Sequence, residues 1–161
     1  MRYRYKGISF IELLIVIAVL SLLLLLGLGV MRYQQERQVK LYAETLYHDL
    51  KWAREEAIVL NVPIVIAPFL NGQMTNHWCD GWLMYRDEDE MSAGMVSTYL
   101  KIQKGISSCE ITFSSFPNRT YFRFLPQGMS DYQNGTFSFY FNHELESEII
   151  ISKAGRVRYE P

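Results

Sequence analysis

Gly7-Ile8-Ser9-Phe10-Ile11-Glu12-Leu13-Leu14, running on through IVIAVLSLLLLLGLGVM to Met31, is the stretch on which the fold turns. Of the 24 residues 8–31, 19 are apolar and Glu12 alone is charged; residues 13–30 carry no charge at all. As a helix, residues 8–31 would reach roughly 36 Å, more than the hydrocarbon core of a bilayer at about 30 Å. Arg2, Arg4 and Lys6 precede the stretch without any acid, which predicts a cytoplasmic N-terminus and export of the remainder of the chain. A secretory signal peptide would need a shorter apolar run and a small-x-small cleavage site, which Gly27-Leu28-Gly29 imitates weakly. A plain signal anchor is the other simple reading.

Outward from this stretch the composition divides unequally. The 161 residues sum to a net charge of −1, but residues 1–7 hold +3 and residues 32–161 hold −3. A purely soluble cytosolic domain is ruled out, and so is a wholly basic nucleic-acid binder, because the exported part is mildly acidic. Aromatics at 14% and only 15 Gly and Pro exclude disorder and low complexity. The length fits one domain beyond the apolar segment.

Neither a signal peptide nor a plain anchor explains Glu12. A carboxylate deep in a membrane span costs about 2.5–3.5 kcal/mol on insertion scales, and such residues mark function. The run Gly7-Ile8-Ser9-Phe10-Ile11-Glu12-Leu13-Leu14 resembles the class III signal of type IV pilins and type II secretion pseudopilins. That resemblance implies a leader of residues 1–7, cut between Gly7 and Ile8 by a prepilin peptidase that also N-methylates Ile8. It places Glu12 fifth in the mature chain, as an assembly residue; Ile8 stands where Phe is the commoner first residue. Cleavage creates an ammonium at Ile8 that a filament would bury, and Glu12 of a neighbouring subunit can supply its counter-charge and set axial register.

The helix is expected to continue beyond Met31. Residues 32–60 contain no Gly or Pro, and Leu46, Leu50, Ala53, Ala57 and Leu60 recur on one face until Asn61-Val62-Pro63 ends it. After Pro63 the pattern becomes short β-branched or aromatic runs at 64–69, 82–85, 95–102, 110–113, 121–124, 136–141 and 148–152, separated by turn signals. The last two are expected to form an antiparallel hairpin through the polar residues 142–146. The fold class is α+β: a long N-terminal helix, half transmembrane and half amphipathic, packed on an antiparallel β-sheet head. The expected segments are the leader 1–7, a transmembrane and filament-core helix 8–31, an amphipathic helix 32–60 and a periplasmic head 61–161.

Four further blocks occur in order: Ala53-Arg54-Glu55-Glu56-Ala57-Ile58, Gly81-Trp82-Leu83-Met84-Tyr85-Arg86-Asp87, Phe124-Leu125-Pro126-Gln127-Gly128 and Gly155-Arg156-Val157-Arg158. With the N-terminal signal they resemble the GspH/FimT branch of minor pilins and pseudopilins over essentially the whole chain. The resemblance implies an inner-membrane protein with a periplasmic head, assembled with other minor pilins or pseudopilins at a filament tip, in a type IV pilus or a type II secretion system that meets exported cargo. In FimT-like pilins of competent bacteria the motif like Gly155-Arg156-Val157-Arg158 binds DNA for uptake.

The residues themselves leave several sites open. Cys79 and Cys109, both exported on this topology, are expected to form a disulfide; two buried free thiols are the alternative. A bridge would close a 31-residue loop, worth roughly 3–4 kcal/mol in the chain-entropy model. Zinc on His77, Cys79 and Cys109 lacks a fourth ligand. Asp87-Glu88-Asp89-Glu90 lacks the ligand spacing of a calcium loop and reads as a solvated turn. His48, His77 and His143 are scattered, so no catalytic constellation, metal or cofactor is expected. Trp52, Trp78 and Trp82 read as packing residues. Arg156 and Arg158 on a strand would point to one side about 7 Å apart, near the spacing of successive phosphates, with Lys153 as a third base. The alternative is that they complete the sheet edge or meet acids of neighbouring subunits.

Overall fold

The structure is a computed structural model that describes residues 9–87, 99–106 and 109–161, with side chains throughout those ranges except at 25–32. The cleavage pair Gly7 and Ile8, and residues 88–90 of the acidic turn, lie outside the described residues. Two compact units are distinguished, the chain through Glu36 and the chain from Arg37 to Pro161. The helix α1, Phe10–Leu60, contributes to both.

In the first unit the side chains of residues 10–24 are all exposed in the lone chain, from Phe10 at 77% to Leu24 at 70%. Among the described residues no helix is long and apolar enough to cross a membrane. The charge-free run of residues 13–30 extends past Leu24 into positions whose side chains lie outside the description.

In the second unit α1 buries one face. Val39, Tyr42, Ala43, Leu46, Leu50, Ala53 and Ala57 are buried, the three-and-four spacing expected of an amphipathic helix. Leu60, assigned to that face from the sequence, is half-buried. Asn61 comes next with φ 54, the left-handed residue that commonly closes a helix, before Pro63 bars its continuation.

Against this face lie two antiparallel sheets, where the sequence pattern led us to expect one. The first is ordered β2 (Gln73–Met74), β1 (Ile64–Leu70), β3 (Gly81–Arg86), β4 (Tyr99–Lys104), and β6 (Phe122–Phe124) also pairs β1. The second is ordered β5 (Glu110–Phe116), β7 (Asn134–Phe141), β8 (Glu144–Ile151), β9 (Val157–Glu160). Ile64, Ile66, Trp82, Met84, Phe122 and Phe124 from the first sheet and Phe137, Phe139, Ile149 and Ile151 from the second join the buried helix residues in one core. Trp78 stands edge-on to Phe137 with centroids 4.6 Å apart, and Phe113 stacks on Phe137 at 4.1 Å.

The expected hairpin of the last two runs is present, but its connection is shorter than 142–146. Asn142 and His143 adopt φ 51 and 66, the pair of left-handed residues of a two-residue turn whose twist matches the flanking strands. Pairing therefore resumes at once, Phe141 opposite Glu144. A similar turn at Asn71 and Gly72 folds the two-residue β2 back on β1, a strand too short to show in the sequence. Of the run expected at 95–102, residues 95–98 lie outside the description and β4 continues two residues further, to Lys104.

Candidate functional site

Two regions carry the residues singled out from the sequence. The first is the start of α1, where Glu12 sits in the first turn and is exposed among exposed apolar side chains. Its backbone N–H, like that of Leu13, donates to the carbonyl of Ser9, at 3.0 and 3.2 Å, so the helix is already closed there.

The second region is the C-terminal strip. Gly155 has φ 73 and is buried, and a Cβ on it would fall on the carbonyl oxygen of Gly128. That carbonyl accepts a hydrogen bond from Nε of Arg54 at 2.7 Å. Arg54 of α1, Gly128 of the turn after β6 and Gly155 of the turn after β8 therefore meet at one point. From this anchor the chain leaves as Arg156 and β9. Arg156, Arg158 and Glu160 are exposed, whereas Val157 and Tyr159 are half-buried against the core, so both arginines project to one side as expected. Among the described residues neither guanidinium has an ion-pair partner. A cleft of about 190 Å³ opens between α1 and β9, lined by Lys51, Arg54, Glu55 and residues 155–158. A second hollow of about 230 Å³ lies on Ile150, Ser152, Arg156 and Arg158. Lys153 turns elsewhere, with its ammonium 5.7 Å from the ring centre of Phe116.

Set beside known proteins, residues 42–155 match the family model described as type II transport protein GspH. The chain belongs to the GspH family. Residues 2–28 of this GspH-family chain also match the prokaryotic N-terminal methylation motif. Its fold is similar to that of the type IV minor pilin FimU of Pseudomonas aeruginosa strain PAO1, in two crystal forms. One gives a TM-score of 0.62 at 21% identity, covering 80% of this chain and 92% of that one. The other gives 0.59 at 22%, covering 76% and 92%. No curated protein matches the chain. The resemblance to GspH/FimT minor pilins and pseudopilins read from the motif blocks holds, and so does the α+β, pilin-like fold class.

The other sequence candidates in this GspH-family head divide between its core and its surface. Cys79, in the short 3-10 turn Trp78–Asp80, and Cys109, just before β5, are joined as a disulfide with Cα atoms 5.7 Å apart. Trp78 and Trp82 are core residues, but Trp52 sits at the surface of α1, 36% exposed. Asp87, first of the acidic run, pairs with Arg123 at 2.9 Å, and Arg123 also approaches Asp131 at 3.6 Å. His143, in the two-residue turn, lies 3.3 Å from Glu110; His48 and His77 sit elsewhere, and no metal-ligand cluster forms among the described residues.

Two buried groups are not apparent from the sequence. Asp49 is 4% exposed on the inner side of α1, where Nε1 of Trp82 donates to one carboxylate oxygen at 2.8 Å and Nζ of Lys101 to the other at 2.6 Å. This ties α1 to β3 and β4. The signal was an acid inside the apolar stripe of Leu46, Leu50 and Ala53. Tyr42 donates its hydroxyl to the carbonyl of Trp78 at 3.1 Å; burial first, then the nearby Asp80 charge, raise its ionisation well above the ordinary phenol value. Tyr85 is raised too, by burial and then by Asp87 and Tyr121, against Arg123, which lowers it.

Proposed function

We propose that this chain is a minor pilin or pseudopilin, a structural subunit and not an enzyme. Residues 1–7 are a leader removed between Gly7 and Ile8 by a prepilin peptidase, which N-methylates Ile8. Residues 8–31 hold the inner membrane and then the filament core, residues 32–60 carry the head on the amphipathic half of the helix, and residues 61–161 form a periplasmic head. The subunit works at the tip, priming assembly with other minor subunits. One observation carries this reading: a methylation motif over residues 2–28 and a GspH head over 42–155 occur on one chain. The exposed apolar side chains of residues 10–24, with a lone carboxylate at Glu12, support it, because such a surface needs lipid and then neighbouring helices to cover it. Mass spectrometry of protein extracted from membranes tests it. The expected terminus is N-methylated Ile8, and an intact Met1 or Arg2 terminus in a strain with active peptidase would refute it.

Between the two machines, the paired arginines lean the reading towards a type IV pilus; a deletion strain that keeps its pili but loses secretion would reverse that choice. Arg156 and Arg158, exposed and without an ion-pair partner among the described residues, also favour a second reading, a DNA-binding minor pilin for natural transformation, with Lys153 as a further contact. Such binding would be sequence-independent and fall steeply with salt. A head that keeps full DNA affinity after Arg156→Gln and Arg158→Gln substitution excludes it.

A further inference from the structure

The cleft between α1 and β9 has a second property besides its charge: it borders an open strand edge. The backbone carbonyl of Arg156 accepts from the N–H of Ser152 at 3.0 Å, so Arg156 faces β8. Antiparallel pairing alternates, which turns Arg158 and Glu160 towards β8 as well and leaves the N–H and C=O of Val157 and Tyr159 pointing away from the sheet. Among the described residues no strand pairs with that side, since β9 ends the order of its sheet.

We infer that this edge is a socket for an extended, carboxylate-bearing segment of another filament subunit. The segment adds as a strand beside β9, and its acids meet Lys51, Arg54, Arg156 and Arg158. This rests on the filament reading above and names the partner of its C-terminal strip. Backbone pairing to Val157 and Tyr159 supplies affinity without regard to sequence, and the four bases select acidic side chains. The socket is preformed, because Gly155 is seated on Gly128 and Arg54 is held by the same carbonyl. The strand edge favours a peptide over nucleic acid: among the described residues it is unpaired, it complements a peptide backbone, and it has no counterpart in a phosphodiester.

The test uses the full-length chain in cells that assemble the filament, with the photo-crosslinking residue p-benzoylphenylalanine at position 55, which leaves the bases intact. Illumination is expected to give an adduct whose peptide map falls in an acidic segment of another filament subunit. Its yield should drop at least about fivefold with Arg156→Gln and Arg158→Gln and return with lysine at both positions, since the interaction is one of charge. Mass spectrometry of the same samples checks that the terminus is Ile8 and that Cys79 and Cys109 are bridged, so a misfolded variant is recognised. In a processed, bridged protein, an adduct with DNA, no adduct, or a yield indifferent to the arginines overturns the socket and leaves the filament reading standing. An uncleaved chain overturns both.

Discussion

Replacing Gly155 by Ala separates the packing role of the C-terminal strip from its role at the surface. At φ 73 an alanine bears a backbone cost of about 1–2 kcal/mol. Its methyl would also occupy the place of the Gly128 carbonyl, so one of the two turns must move. Gly128 has little room to retreat: it has φ 75, and its Cα faces Ile58 so closely that an added Cβ would lie 2.7 Å from Cδ1. Displacement breaks the 2.7 Å hydrogen bond from Arg54, a charge-assisted bond worth about 1.5–3 kcal/mol. The combined loss is about 2.5–5 kcal/mol. Over the roughly 125 residues of the unit Arg37–Pro161, an unfolding entropy of about 2.1 cal/mol/K per residue converts that into a fall of about 10–19 °C in Tm. Circular dichroism melts and urea titrations of residues 37–161 measure it. Arg156→Gln with Arg158→Gln, both exposed and without an ion pair among the described residues, should stay within about 0.5 kcal/mol of the parent in the same assay. Arg54→Met and Gly155→Ala should be sub-additive, because both act on one carbonyl. A Gly155→Ala melt within about 3 °C of the parent would show that the three residues do not form a common anchor.

Elsewhere in the head, serine at both Cys79 and Cys109 should lower stability by about 3–4 kcal/mol, since the bridge spans a sequence separation of 30; a loss below about 1 kcal/mol in urea titrations contradicts this. Asp49→Ala should cost about 2–4 kcal/mol, because it strands the buried Trp82 N–H and releases Lys101, while Asp49→Asn retains an acceptor and should cost about half as much. Equal losses for the two variants would argue against the Trp82 bond as the main contributor. Tyr42 ionises above its ordinary 10.0 when folded, so its contribution is whole below pH 10 and falls as the pH rises beyond it. Tyr42→Phe should flatten the alkaline decline of Tm, leaving the part due to Tyr85, and an unchanged slope would refute the assignment.

What the sequence disclosed, and what it withheld, depends on the range of the interactions involved. The inner face of α1 was legible because helical periodicity is local, and so was its end at Asn61-Val62-Pro63. Strand positions were legible wherever β-branched and aromatic residues ran together. The division into two sheets was not, because the partners of β5 lie 18 to 30 residues further along the chain and no local signal names them. Asp49 was hidden for the same reason: one acid in an apolar stripe announces that something satisfies it, but Trp82 and Lys101 come from separate strands. The motif blocks lie between these extremes. Arg54, Gly128 and Gly155 belong to three blocks far apart in sequence and meet at one carbonyl, and Trp82 of a fourth holds Asp49. The resemblance carried by those blocks is thus largely a resemblance of packing, which explains why it reads the fold so well and the ligand so poorly. Arg156 and Arg158 stand apart from that logic. They come directly after the anchoring glycine, remain exposed, and form no ion pair among the described residues, so fold stability gives no reason for them. A side chain that the fold does not require, held at a fixed place by one that it does, is where a binding role belongs.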